Sequence, residues 1–416
     1  MKIAVVVGPF PVLSQTFILS QITGLIDRGH EVHVFASYPN DSRKVHSDVH
    51  SYNLFDKILY RPKVAKSNTI LGRRFNRIGK GAQIIVKYGL KNPLVILKAL
   101  NFLQYGQPAK SLELLFWAVP FISSDSYDIV HSHFGLYSLN CALLKKIKAF
   151  NGKLVVSFHG GDVNATPKTH GKDVYKPVFE VADMFTVNSN FTAQQAIGLG
   201  CPEEKIEKLP VGLNLSRYKP SLNKYKNGDT VKLLTVARLT EKKGIEYSIK
   251  AFSKATKNLD NVEYTIVGEG PLEAELKNLV NCLHISNKVK FVGSKTQAEI
   301  LFLYEESHIF LLSSVTAKNG DREGQGLVLQ EAQAMGLPII STFHNGIPEG
   351  ILDGKSGFLV PERDVDMLAE KISVLLDNPE IWSQMGEAGR SFVRQKFDIE
   401  HLNDRLVSLY ENVLKS

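Results

Sequence analysis

The chain has 416 residues, 44% of them hydrophobic and 22% charged, with a formal net charge of +8 at pH 7. This is the composition of an ordinary soluble protein, long enough for two domains of about 200 residues each. A spanning helix needs roughly 18 apolar residues, and the longest candidate run, residues 112–122, is short and carries Glu113.

The chain begins with an apolar strand over residues 2–7, a Gly8-Pro9-Phe10-Pro11 turn, and a helix over 15–28 with Ser14 as N-cap and Gly29 as stop. Because Lys2 leads straight into that strand, no signal peptide is expected. Cys141, Cys201 and Cys282 are far apart and odd in number, so they read as small core residues of a reduced, cytoplasmic protein. A second strand is expected over 31–36. From Lys57 to Leu112 there is no Asp or Glu, while twelve Lys and Arg residues accumulate, so the rest of the chain carries −4 of the +8. Apolar residues interleave with these cations. The segment 57–110 therefore reads as a patch for an anionic membrane surface, placing the protein peripherally on the inner face of the cytoplasmic membrane. A solvated basic face is the alternative, and no nucleic-acid recognition motif is present.

Strands over 128–131, 154–158 and 184–187, each followed by helix or loop, predict a doubly wound parallel sheet. His131 and His133 alternate on one strand and so share a face, but no third metal ligand is evident. His159, at a strand end before two glycines, reads as an exposed residue of a cleft, and Asp162 either binds a ligand or structures the loop. Residues 209–220, punctuated by Pro and Gly, fit a hinge. A second set of strands follows over 231–236, 262–267, 289–292, 309–312, 338–341 and 357–360, with helices between them. Expected boundaries are an N-terminal domain 1–210, a C-terminal domain 211–398, and a last helix 399–416 packed back on the first. Ligands of such sheets sit at the carboxyl ends of strands, so a cleft between the two domains is the expected site.

Arg238 and Lys243, just after a strand, are suited to neutralising a diphosphate. Gly268 and Gly270, in VGEGP, allow close backbone approach, and Lys295, in FVGSK, can reach a phosphate or a base edge. The richest stretch is DREGQGLVLQE, which ends at Glu331. Glu323 falls in a loop before a helix N-terminus and Glu331 one to two turns inside that helix. Gly324 and Gly326 bare the backbone N–H groups beside Gln325 and Leu327, where a helix start favours an anion. The layout suits a phosphorylated sugar, with a carboxylate for each set of hydroxyls; an ordinary surface helix is the alternative. Asp364 and Asp366 form a D-x-D, but they open a helix and read as an N-cap and a dipole partner rather than metal ligands.

The stretch EGQGLVLQEAQAMGLPIISTFHNGIPE, Glu323 to Glu349, resembles the donor-site signature of the family 4 retaining glycosyltransferases. It is nearest to the bacterial exopolysaccharide enzymes of the colanic acid and amylovoran types, and the likeness covers nearly the whole chain. It implies an α/β GT-B fold, two Rossmann-like doubly wound domains facing a cleft. In the roles it implies, Arg238 and Lys243 stabilise the leaving diphosphate, Glu331 holds the ribose, Glu323 the sugar hydroxyls, and His159 the sugar near the reaction centre. The loops at Gly8, Gly268, Gly270 and Lys295 then lie against the donor. The resemblance further implies metal-independent transfer without a cofactor, the donor being a nucleotide-diphosphate sugar, UDP-linked ahead of GDP-linked. The acceptor is a glycan or a polyprenyl-linked sugar. Rival readings are a non-catalytic GT-B scaffold docked on the membrane, or another GT-B enzyme such as a nucleotide-sugar epimerase.

Overall fold

A computed structural model describes residues 1–12, 15–39, 45–65, 68–124, 126–220 and 228–416. The chain divides into two compact units. One comprises Met1–Val187, Ala193–Leu209 and Asn403–Ser416; the other comprises Asn188–Thr192 and Pro210–Leu402.

The first unit is built on strands β1 (Lys2–Pro9), β2 (Glu31–Tyr38), β3 (Ile58–Tyr60), β4 (Ile129–His133), β5 (Lys153–Phe158), β6 (Met184–Val187) and β7 (Ile206–Lys208). They pair in the order β3-β2-β1-β4-β5-β6-β7, every pair parallel. Parallel strands are covered on both faces, so β1 reads as an almost unbroken apolar run from Ile3 to Val7. Its core collects Val6, Phe35, Val130, Val156 and Phe158, with Phe158 and Phe185 stacked at 5.8 Å. The three-residue strands β3 and β7 were not expected, because a run that short carries no period to read.

The second unit holds β8 (Val231–Val236), β9 (Val262–Val267), β10 (Val289–Phe291), β11 (Ile309–Leu312), β12 (Ile339–Thr342) and β13 (Gly357–Val360), in the order β10-β9-β8-β11-β12-β13. Side-chain alternation divides the strands inside the edge strand β10 between two apolar layers. Ile309 and Leu311 join the layer under helices Ile245–Ala255 and Val365–Asp377, while Phe310 and Leu312 join the one under helices Leu327–Ala334 and Ile381–Phe397. Strand order reverses between β8 and β11, so the loops leaving their carboxyl ends emerge side by side, the usual ligand position of such sheets.

Several local expectations change. The first helix runs Thr16–Asp27, with Gln15 at its N-cap position and no side-chain cap bond; Ser14, the expected cap, lies outside the described residues. Asp364 does cap its helix, accepting from the Met367 amide at 2.9 Å. The basic segment forms the helices Ile70–Tyr88, Pro93–Ala99 and Phe102–Lys110. Two of its cations are occupied. Arg61 pairs with Glu113 at 2.9 Å, and Arg77 points inward, donating to the Ser111 carbonyl across the Phe116 ring.

Within the first unit the C-terminal helix supplies Tyr410. Its hydroxyl lies 2.6 Å from His131 Nδ1, while His131 Nε2 meets Ser157 Oγ at 2.7 Å, all buried. Burial lowers the His131 imidazole to about 3, so it stays neutral. Tyr410→Phe should therefore destabilise the unit by about 1–3 kcal/mol, the cost of an unsatisfied buried polar atom. Tyr410→Ala should cost more, about 3–5 kcal/mol, since a cavity is added. Urea unfolding of the two variants measures both, and equal stability of wild type and Tyr410→Phe would refute this role for Tyr410.

Candidate functional site

Arg238 and Lys243 follow β8. Arg238 is exposed and, among the described residues, makes no ion pair or side-chain hydrogen bond. Lys243, in a short turn before the helix Ile245–Ala255, forms an ion pair with Glu323 from the loop after β11. Only 12% of the Lys243 side chain and 16% of Glu323 are exposed, so the pair is largely withdrawn from water. Burial on its own would raise the Glu323 carboxyl. Lys243, then Lys242, outweigh it and hold the group below the usual carboxylate range. Lys242 sits beside this pair but bonds to Asp321 at 3.2 Å.

A relay that the sequence did not reveal holds Glu323. Its backbone N–H donates to His344 Nε2 at 3.0 Å, so the His344 proton lies on Nδ1, which meets Glu362 Oε1 at 2.5 Å. His344 is fully buried, and burial lowers its basicity although Glu362 and Glu323 oppose the shift. Glu362 is fixed in turn by the Thr316 amide at 2.8 Å. Asn345 Nδ2 donates to the Glu323 carbonyl at 3.0 Å. His344, Asn345 and Glu362 follow β12 and β13, so four strand ends converge on one loop.

Gly326 has a left-handed backbone and starts the helix Leu327–Ala334. Leu329 already donates to the Gly326 carbonyl at 2.8 Å, and the amides before it in that first turn lie where a helix start favours an anion. Glu331 lies in the second turn, where the Tyr304 hydroxyl donates to it at 3.0 Å. Burial pushes the Glu331 carboxyl up to about 7, although Tyr304 and Tyr218 both stabilise its charged form. Two carboxylates eight residues apart are thus driven in opposite directions by their surroundings.

The remaining expected residues divide. Gln325 has no side chain to spare for a ligand. It accepts from the Val211 amide at 2.8 Å and donates to the Val211 carbonyl at 2.9 Å, clamping the segment after Leu209. Gly268 and Gly270 serve the chain's own packing. A Cβ on Gly268 would fall 1.9 Å from the Ala237 carbonyl oxygen, and one on Gly270 2.4 Å from that of Leu239. Their absence of side chains seats the loop after β9 against the loop that carries Arg238. Lys295 pairs with Glu299 at 3.3 Å. Leu327 turns its side chain to the apolar layer.

In the first unit, His133 and His159 stack at 11° between ring planes, with His133 Nδ1 3.1 Å from His159 Nε2. His159 packs between Phe17 and Phe134, at 4.9 and 4.8 Å between ring centres, so it is less open than its place at a strand end suggested. Burial brings it down to about 4. Asp162 structures the loop, accepting from the His159 amide at 2.7 Å and the Gly135 amide at 2.9 Å. Gly8 admits the Tyr137 ring, whose hydroxyl would lie 2.0 Å from a Cβ there. Among the described residues no group of three or more His, Cys, Asp or Glu is arranged to hold a metal.

Comparison with known proteins places the chain as a whole. The model described as Glycosyltransferase Family 4 matches residues 14–217, and that described as Glycosyl transferases group 1 matches residues 220–392. The chain is 31% identical to the putative colanic acid biosynthesis glycosyltransferase WcaL of Salmonella typhimurium, over 99% of this chain and 100% of that one. It is 35% identical to the amylovoran biosynthesis glycosyltransferase AmsK of Erwinia amylovora, over 89% of each. Among solved structures, a glycosyltransferase from Rickettsia africae superposes with a TM-score of 0.67 at 20% identity, covering 100% of this chain and 99% of that one. Anabaena HepE, solved with UDP and glucose, gives 0.67 at 16% identity over 99% and 100%. End-to-end identity above 30% with WcaL, together with a family model on each half, makes the chain a family 4 glycosyltransferase of GT-B fold.

Proposed function

We propose that this glycosyltransferase moves a sugar, with retention at the anomeric carbon, from a nucleotide-diphosphate sugar to a glycan or polyprenyl-linked acceptor, in building a bacterial exopolysaccharide. The observation that carries this reading is the buried Lys243–Glu323 pair at the switch point of the second sheet, with an exposed Arg238 on the same loop after β8 that has no ion pair among the described residues. Cations fixed there in advance are what a departing diphosphate requires. The Leu327 amide adds the field of a helix start. Glu331 takes the ribose hydroxyls, Glu323 the sugar hydroxyls, and His159 orients the sugar. The bond from the anomeric carbon to the phosphate oxygen breaks, and the acceptor oxygen bonds to the same face. The acceptor proton passes to the departing phosphate oxygen. No metal ion takes part. UDP-sugars are expected ahead of GDP-sugars as donors, HepE having been solved with UDP. The polysaccharide assignment follows WcaL and AmsK. An acceptor of the lipid-linked kind is met at an anionic membrane surface.

Nucleotide release across a panel of sugar nucleotides tests the reading, and a folded protein that releases none from any donor would contradict it. Glu323→Ala and Lys243→Ala should each lower turnover by at least about a hundredfold. Circular dichroism distinguishes this from unfolding, since each variant strands a buried charge. Turnover in excess chelator should equal that without it. A loss that Mg²⁺ or Mn²⁺ restores would put a metal in the reaction.

The pH response follows from Glu331. With its carboxyl at about 7, the group is protonated below that value and ionised above it. Only the ionised form accepts from both ribose hydroxyls, so the donor KM should rise as pH falls through 7. Tyr304→Phe removes a donor that favours the charged form, so the break should move to higher pH. A KM that is flat from pH 6 to 8 in the wild type would separate Glu331 from donor binding.

A further inference from the structure

We propose that a cavity in the second unit binds the phosphoryl group of a small polyol phosphate between Arg390 and Arg394, and that its occupant acts on the donor site through Tyr218. The effect on turnover rests on the proposed reading of Glu331 as the ribose ligand; the binding site itself does not.

The cavity has a volume of about 210 Å³ and is lined by Ser216, Tyr218, Ala334, Arg390, Arg394 and Asp398. It lies at the last residue of the helix Leu327–Ala334, the end away from Gly326. Arg390 and Arg394 are four residues apart on the helix Ile381–Phe397, so they share the face that borders the cavity. Like charges at that spacing destabilise a helix. Arg390 is half-buried and uses one nitrogen, Nη1, on the Ala334 carbonyl at 3.0 Å and the Tyr218 carbonyl at 3.5 Å. Arg394 is exposed and, among the described residues, makes no ion pair or hydrogen bond. Burial, and after it the Arg394 charge, lowers Arg390 below its ordinary value, so each guanidinium feels the other. Asp398, four residues beyond Arg394, would be its natural partner. It forms no ion pair with Arg394 and instead accepts from the Glu400 amide at 3.1 Å.

This chemistry names a ligand class. Two guanidiniums without a carboxylate offer planar forks to a phosphoryl group, which brings three oxygens and nearly two charges. The rest of the lining suits hydroxyls. The Asp398 carboxylate accepts, and so does the Ser216 oxygen, whose own proton goes to Asn214 at 2.6 Å. Tyr218 joins the cavity to the donor site, since its carbonyl meets Arg390 and its hydroxyl bonds to the Glu331 carboxylate. Ala334 lies on the same helix as Glu331. A phosphoryl group between the arginines offsets their repulsion. Arg390 then holds both carbonyls more firmly, and Glu331 keeps one position toward the ribose.

Thermal unfolding of the full chain with glycerol 3-phosphate tests the site. The midpoint should climb with ester concentration, because a ligand bound only to the folded chain stabilises it. Glycerol at the same concentration, and potassium chloride at the same ionic strength, should leave it in place. Arg394→Gln should unfold no earlier than wild type without ester, and should need at least about tenfold more ester for the same shift, since a charge-assisted bond is lost. Arg394→Lys should recover part of that loss, keeping the charge without the fork. Saturating ester should lower the donor KM of wild type about fivefold and leave that of Arg394→Gln unchanged. No shift with the ester, or an Arg394→Gln chain that responds like wild type, overturns the site; the second result would put the phosphoryl group on the donor-site cations. A shift that leaves the donor KM unchanged overturns the link through Tyr218. A chain that releases no nucleotide, yet loses its shift on Arg394→Gln, would keep the anion site and sink the reading of Glu331 as a donor ligand.

Discussion

The second unit is organised around one buried ion pair. Lys243 and Glu323 are 80 residues apart in the chain, and they meet because β8 and β11 are neighbours in the sheet. Withdrawing two charges from water is costly unless each finds the other with good geometry, and removing either leaves the other uncompensated. The surroundings serve that constraint. His344 accepts the Glu323 amide, Glu362 fixes His344, and the Thr316 amide fixes Glu362. The links come from the loops after β11, β12 and β13, three neighbouring strands, so the parallel sheet itself sets the geometry.

The same scaffold makes two similar carboxylates different. Glu323 sits beside two lysines and stays ionised against its burial. Glu331, on the helix that follows, has the Tyr304 and Tyr218 hydroxyls as its partners among the described residues, and burial pushes it up to about 7. Opposite shifts on neighbouring groups often mark a division of labour. In the proposed function a permanent charge stands at the sugar and a titratable one at the ribose. In the first unit, desolvation leaves His131, His133 and His159 all neutral near pH 7. Neutral imidazoles can order one another by hydrogen bonding without repelling, and the stacked pair His133 and His159 is ordered in that way.

Glycine has a different use here from the one its spacing suggests. Gly8, Gly268 and Gly270 were expected to open the backbone to a ligand. In each case the space a Cβ would need is already filled, by the Tyr137 ring or by a carbonyl of the adjoining loop. The loops that carry Arg238 and the ring stack around His159 are positioned by such contacts. A side chain at any of the three would move the loop before it met a substrate.

Much was legible in the sequence because it depends on local chemistry. Apolar runs bounded by Gly and Pro gave most of the strands to within two residues, and the strand–helix alternation gave the parallel sheets. The motif DREGQGLVLQE gave the helix start, both carboxylates and, through its resemblance, the family. Only the tertiary structure decided which cation faces which carboxylate, since Lys242 and Lys243 are adjacent and differ only in direction. It also decided that Gln325 clamps Val211 and that Arg77 turns inward, and it brought His344 to Glu323. Those roles rest on partners far off in the chain, or on which way a helix face turns, and no local pattern encodes either. The short strands β3 and β7 were missed for a related reason: at three residues each, neighbouring strands specify them more than their own side chains do.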